Sequence, residues 1–241
     1  MSDYGLLVKN NSEEIQIDST YRNLSLDESD TDTISNNNTD AGYYASIDIA
    51  DSVLVPLILF QPNTDYFSMV SAYIKSGSNF ASFNMATECD GSSSPSGPQT
   101  TSVNWRSYRQ NRAASGDSYG LLVYNAAGEL CFDSGKSYFK VYSVTNVSLS
   151  APAKATFPST DITHAGISNP FYILTPVSYY LNMYPLDATF TNMDAKMVGL
   201  KKLSSTSVRV GWSLFRRDRI QAQLTHNEGL NPAMKLIICD I

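Results

Sequence analysis

The side chains with the most chemistry to offer in this 241-residue chain are two histidines, three cysteines and a few Trp–Tyr–Arg clusters. His164 sits in "ITHAG" and His226 in "LTHNEG", both loop-like contexts. A hydrolytic triad or a zinc site would place further ligands or partners at recognisable spacing. HExxH and a Walker glycine loop are not found. Both histidines therefore read as surface or capping residues. Glycoside hydrolysis needs only two carboxylates about 5–10 Å apart, which spacing along a chain does not reveal. Most acids here fall within residues 26–42 or at strand ends, so a non-enzymatic protein is expected, with a glycosidase as a rival. The stretch 26–42 lacks the glycine and terminal glutamate of an EF-hand loop. No catalytic, cofactor-binding or metal-ligating residue is assigned, and no cofactor is expected.

Binding chemistry is better represented. "SYYLNMYPL" offers Tyr179, Tyr180 and Tyr184, and "NWRSYR" offers Trp105, Arg106 and Tyr108. Tyr, Trp and Arg anchor interfaces, and aromatic rings also stack on sugars. The same residues pack sheet surfaces. These six are the candidate interface or glycan contacts.

The elements that must position them are strands. "YGLLVKNNSEEIQIDS" (4–19) and "YGLLVYNAAGELCFDS" (119–134) align at an offset of 115, without a gap and with nine identities in sixteen positions. Each copy reads as a hairpin: "YGLLV", a short turn "NNSE" or "NAAG", then "EIQID" or "ELCFD". Asp and Ser end the return strand by bonding to nearby backbone, and the Tyr-Gly entry admits a close neighbour. Recurrence at the same hairpin positions makes Asp18 and Asp133 turn-formers. Residues 26–42, "LDESDTDTISNNNTDAG", read as a long polar loop or arm. "YYASIDIA", "VLVPLILF", "YFSMVSAYI", "NFASFNMAT" and "VNWRSYR" are strand candidates. "CDGSSSPSGPQTTS" is a loop built from breakers, and "QNRAASGDS" a linker. "YFKVYSVTNVSLS", "FYILTPVSYYLNMYPL", "KMVGLKKL", "SVRVGWSLF" and "MKLIICDI" continue the pattern around a Pro/Gly-interrupted loop at 151–170. No segment keeps a helical period over 11 or more residues. The predicted fold is all-β, with two β-sandwich-like units, 1–116 and 117–241, each opening with a similar hairpin.

Net charge is −6, and the densest basic cluster, Arg216, Arg217 and Arg219, is broken by Asp218. A nucleic-acid binder normally carries a basic stripe, so none is expected as a partner. Cys131 and Cys239 lie in apolar stretches and read as buried thiols. With Cys89 they make an odd number and no CxxC pair, which points to a reducing compartment. The chain opens without a basic start and long apolar run. Its longest apolar run is eight residues with a proline inside, against about 20 for a spanning helix. A soluble chain without membrane insertion is expected.

The form YGLxVxNxxGExxFDS at Tyr119–Ser134 resembles a hairpin signature of small virion proteins of tailed bacteriophages, of the minor tail or tail-tip type. The resemblance covers about 32 of 241 residues and departs at Glu13, where the second copy has Gly128. It carries no catalytic residue across. It implies a virion structural protein of the tail tip, fibre base or collar, made in the host cytoplasm. Such a protein would bind other virion proteins, form a homo-oligomer in a symmetric assembly, and contribute to host attachment. A capsid decoration protein and a carbohydrate- or receptor-binding module, the latter contacting host cell-surface glycan, are the alternatives.

Overall fold

A computed structural model of the chain describes residues 7–9, 15–18, 23–35, 43–64, 66–87, 100–110, 113–153, 156–185, 187–221, 225–230 and 233–240. The first half supplies β1 (Leu7–Lys9), β2 (Ile15–Asp18), β3 (Leu24–Ser35), β4 (Tyr43–Ser52), β5 (Leu57–Gln61), β6 (Ser68–Ser76), β7 (Asn79–Thr87) and β8 (Thr100–Gln110). The second supplies β9 (Leu122–Tyr124), β10 (Leu130–Asp133), β11 (Lys140–Val147), β12 (Ser159–Thr163), β13 (Phe171–Thr175), β14 (Tyr179–Pro185), β15 (Thr191–Ser204), β16 (Ser207–Ile220), β17 (His226–Leu230) and β18 (Met234–Asp240). The fold is all-β, as the hydrophobic alternation predicts.

Two large antiparallel sheets form a sandwich. One has six strands in the order β11-β18-β13-β5-β8-β3. The other runs β12-β16-β15-β6-β7-β4, with β14 and β17 added beside β15. Their facing sides enclose the main core, in which Ile58, Phe60, Val103, Trp105 and Leu236 meet Phe83, Met85, Leu200, Val210 and Trp212. Val208, Val210 and Trp212 share the buried face of β16 while Arg209 points to solvent and pairs with Asp161, as the alternation of "SVRVGW" dictates. The six-stranded sheet buries its other face too. Leu59, Tyr108, Phe171 and Cys239 cluster there with Leu24 and Phe139. That is why β5 reads "LILF", apolar without alternation.

Both sheets are palindromic in strand identity. β3, β4, β5, β6, β7 and β8 recur as β11, β12, β13, β15, β16 and β18, and each sheet runs outward from a central pair of equivalent strands. The registers repeat as well. β3 pairs Leu26 with Tyr108 and, after a bulge, Glu28 with Ser107. β11 pairs Val141 with Cys239 and, after a bulge at the same place, Ser143 with Ile238. The two hairpins agree to the residue, Leu7–Asp18, Val8–Ile17 and Lys9–Ile15 matching Leu122–Asp133, Val123–Phe132 and Tyr124–Leu130. The sixteen-residue sequence repeat is thus the legible part of a duplication that runs through the chain. Among the described residues, β14 and β17 have no counterpart in the first half.

Three expectations are corrected. The polar stretch 26–42 is not a loop over its first ten residues: Leu24–Ser35 is a strand, and Ile34 near its end is wholly buried. An outer strand with one wet edge tolerates acids that an inner strand would not, so position overrides propensity. Residues 36–42 lie outside the described residues, as do Cys89 and the first hairpin's turn. The loop at 151–170 contains β12, and His226 lies on β17. The units 1–116 and 117–241 repeat one strand order, and both large sheets draw strands from each. β5 joins β13 through Phe60–Tyr172, β6 joins β15 through Ser68–Leu200, and the core draws on both halves.

Candidate functional site

The six aromatic and arginine candidates do not converge on one patch. Trp105 is buried between the sheets, edge-on to Phe83 at 5.2 Å, and its indole N–H donates to Asp32 at 2.6 Å. Arg106 and Tyr108 lie on the opposite face of β8. Arg106 stacks its guanidinium over Phe171, and Tyr108 is buried against Phe139. On β14, Tyr180 packs edge-on to Trp212, and Tyr184 donates to Asp194 at 3.0 Å. Tyr179 is half exposed. Of the rings, only Tyr179 is open to a partner or a sugar.

The histidines are structural in different ways. His226 lies 3.0 Å from Glu228 on exposed β17. His164 is buried rather than on the surface. Its Nε2 lies 2.6 Å from the Tyr172 hydroxyl and its Nδ1 3.3 Å from the Ile167 carbonyl. The carbonyl can only accept, so Nδ1 carries the proton and Tyr172 donates to Nε2. The pair pins β13 beside the seam between the halves.

The second hairpin is fastened by its repeated polar residues. Asp133 accepts from the Ser115 N–H at 2.6 Å and the Gly135 N–H at 2.8 Å. Burial works against its charge, but these donors, the Ser115 hydroxyl and the nearby Lys136 outweigh it and hold the carboxyl below its usual range. The Ser134 hydroxyl accepts from the Leu121 N–H at 2.8 Å. A side chain at Gly120 (φ +140°) would meet that hydroxyl at 2.6 Å, so the close neighbour of the Tyr-Gly entry is a side chain. Asn125 Oδ1 closes the "NAAG" turn by accepting from the Ala127 and Glu129 N–H groups. The hairpin is bound to the rest of the fold: Asn23 donates through both its backbone and side-chain nitrogens to the Cys131 carbonyl.

Two concavities accompany these features. Where the halves meet, each sheet is stitched by one residue pair, and a cleft of about 350 Å³ opens between β5, β6, β13 and β15. Its walls include Leu57, Met69, Val70, Ile173 and Val198, with Tyr73 and Val177 half exposed. The second is an open polar groove over β3, β8 and β5, bordered by Asp30 and Arg106. Thr31 donates to Asn104 at 2.6 Å and Asn104 to Gln61 at 2.9 Å, forming a ladder along it.

The surface that sequence reasoning missed is a sheet edge. β3 and β11 occupy equivalent outer positions in the six-stranded sheet, yet their side chains differ. β3 carries Asp27, Glu28, Asp30 and Asp32 where β11 carries Tyr142, Ser143, Thr145 and Val147. Part of the β3 charge is used internally, since Asp27 lies 2.6 Å from Arg109 and Asp32 holds the Trp105 indole. β11 exposes Val141 at 50%, Tyr142 at 44% and Val144 at 53%. Its single charge, Lys140, is at one end. The start of β3 is tied to the segment just before β11, where Leu26 N–H donates to Ser137 and Phe139 N–H to Leu24. Along Ser143–Val147 the side of β11 away from β18 has no strand partner among the described residues. The signal that could have found it was in plain sight: extending the 115-residue offset past the hairpins sets "DESDTD" against "YSVTNV". Comparison with protein-family models, curated proteins and solved structures finds no match to this chain.

Proposed function

We propose that the chain is a structural subunit of a virion, in the tail region of a tailed bacteriophage, and works through protein–protein contacts rather than by a reaction. The observation that carries the contact-making role is β11: an outer strand without acids, with exposed valines, in a chain whose equivalent strand is guarded by acids. Native sheets blunt their edges with charge when they are not meant to pair. The virion assignment rests on the resemblance of the Tyr119–Ser134 hairpin. Gradient-purified particles, analysed by mass spectrometry, should contain the chain in stoichiometric amount. Its absence from intact particles overturns the assignment. Labelling with an antibody should decorate the tail, and decoration of the head instead would make the chain a capsid decoration protein.

A second reading, a glycan-binding module for host attachment, is favoured by the polar groove. Planar amide and guanidinium groups, Asn104, Gln61 and Arg106, line it beside Asp30. A glycan array distinguishes the two: binding that Asn104→Ala abolishes supports this reading, and silence across the array removes it.

A further inference from the structure

We propose that two copies of the chain form an isologous dimer by antiparallel pairing of β11 with β11, extending each six-stranded sheet across a two-fold axis. The proposal rests on the contact-making role inferred above and names its partner. Three observations lead to a second copy rather than a foreign strand.

The outer strands of both sheets form an internal comparison. β3 carries four acids, β4 carries Asp48 and Asp51, β12 carries Asp161, and β17 carries Glu228. β11 carries none. In a chain of net charge −6, it is the described outer strand on which two copies meet with least repulsion.

The placement of the one charge on β11 selects the orientation. Antiparallel self-pairing sends the two Lys140 side chains to opposite ends and brings the stretch from Ser143 to Val147 against itself. Beyond the bulge that stretch is in unbroken register with β18, so its outward N–H and C=O groups form a regular ladder template. Parallel pairing would set the lysines side by side. Pairing with β3 of another copy would set one lysine against four acids and, being heterologous, would join copies head to tail rather than as a two-fold pair.

The chain already uses this operation internally. Its halves are joined by antiparallel pairing of equivalent strands, β5 with β13 and β6 with β15. β11 with β11 repeats the operation between chains, with five residues in regular register available on each strand where the internal joins use one pair.

Sedimentation equilibrium of the full chain over a concentration series tests the proposal. Wild type should fit a monomer–dimer equilibrium. Ser143→Glu with Thr145→Asp, which copies Glu28 and Asp30 of β3 onto β11, should stay monomeric with an unchanged far-UV circular dichroism spectrum. A monomeric wild type, or a dimer that survives in the folded variant, overturns the proposal. If the variant does not fold, Thr145→Cys, which the pairing sets on the two-fold axis, decides: it should cross-link into a disulfide dimer under mild oxidation while Asp30→Cys, its equivalent on β3, does not. Equal cross-linking of both also overturns it. A wild-type monomer that is nevertheless found in particles removes the dimer and leaves the structural role standing. A β11-dependent dimer absent from particles does the reverse.

Discussion

Trp105 and Tyr179 have equal claim as interface anchors by residue type, and the fold separates them. Trp105 is 4% exposed and Tyr179 50%. Trp105→Ala should cost about 3–5 kcal/mol by chemical denaturation, because it empties core volume and orphans Asp32. Tyr179→Ala should change stability by no more than about 0.5 kcal/mol. Equal small effects would mean that Trp105 is not part of the core. Asp133 tests the turn-forming role of a repeated residue. Its folded pKa is depressed, so its contribution is complete above the ordinary carboxylate range and is lost as pH falls through the lower folded value. Asp133→Asn should lose about 1–2 kcal/mol at neutral pH and progressively less in acid. A constant difference between the two proteins across the acid range would sink the assignment. The recurrence of Asp-Ser marked both residues as structural; that Asp133 reaches back to Ser115 was not visible, because Ser115 lies in a stretch with no pattern of its own.

At the scale of elements, strands whose patterning reflects burial were legible, the outer β4 among them, and outer strands with few apolar residues were not. β4, β16 and β18 announce themselves by alternation, as Ile47 and Ile49 of β4 show. β3, β12 and β17 do not, because an outer strand needs few apolar residues and accepts acids and turn-formers. Cysteines report on the same distinction. Cys131 and Cys239 are buried, as expected of their apolar surroundings. Cys239 is on β18, flanked by β11 and β13, and burial pushes its thiol up to about 12, so it holds its proton at neutral pH. Cys131 is on a two-stranded hairpin, which opens more readily than an inner strand. In a Cys89→Ser background, alkylation followed by mass spectrometry should label Cys131 first. Cys239 should be labelled only at the rate of global unfolding. Prior labelling of Cys239 would show that β18 is not an inner strand.

For the whole molecule, the duplication raises the question of whether two repeats make two domains. Each half has the same strand order and opens with the same hairpin, which in a pair of domains would leave each half its own closed core. Here the equivalent strands at the centre of each sheet face each other across the boundary. Phe60 and Ile58 of the first half pack in one cluster with Tyr172, Leu236 and Trp212 of the second. The starts of β3 and β11 are tied by the Ser25–Tyr138 bridge, and Leu24 and Phe139, equivalent positions, bond to each other. Separating the halves would expose the apolar edges of β5, β6, β13 and β15 together. The whole chain should therefore melt in a single calorimetric transition, with calorimetric and van't Hoff enthalpies equal. Fragments 1–116 and 117–241 should each lack dispersed amide spectra when expressed alone. Two resolved transitions, or a folded isolated half, would make the halves independent sandwiches. A single transition would place the unit of folding above the unit of repetition.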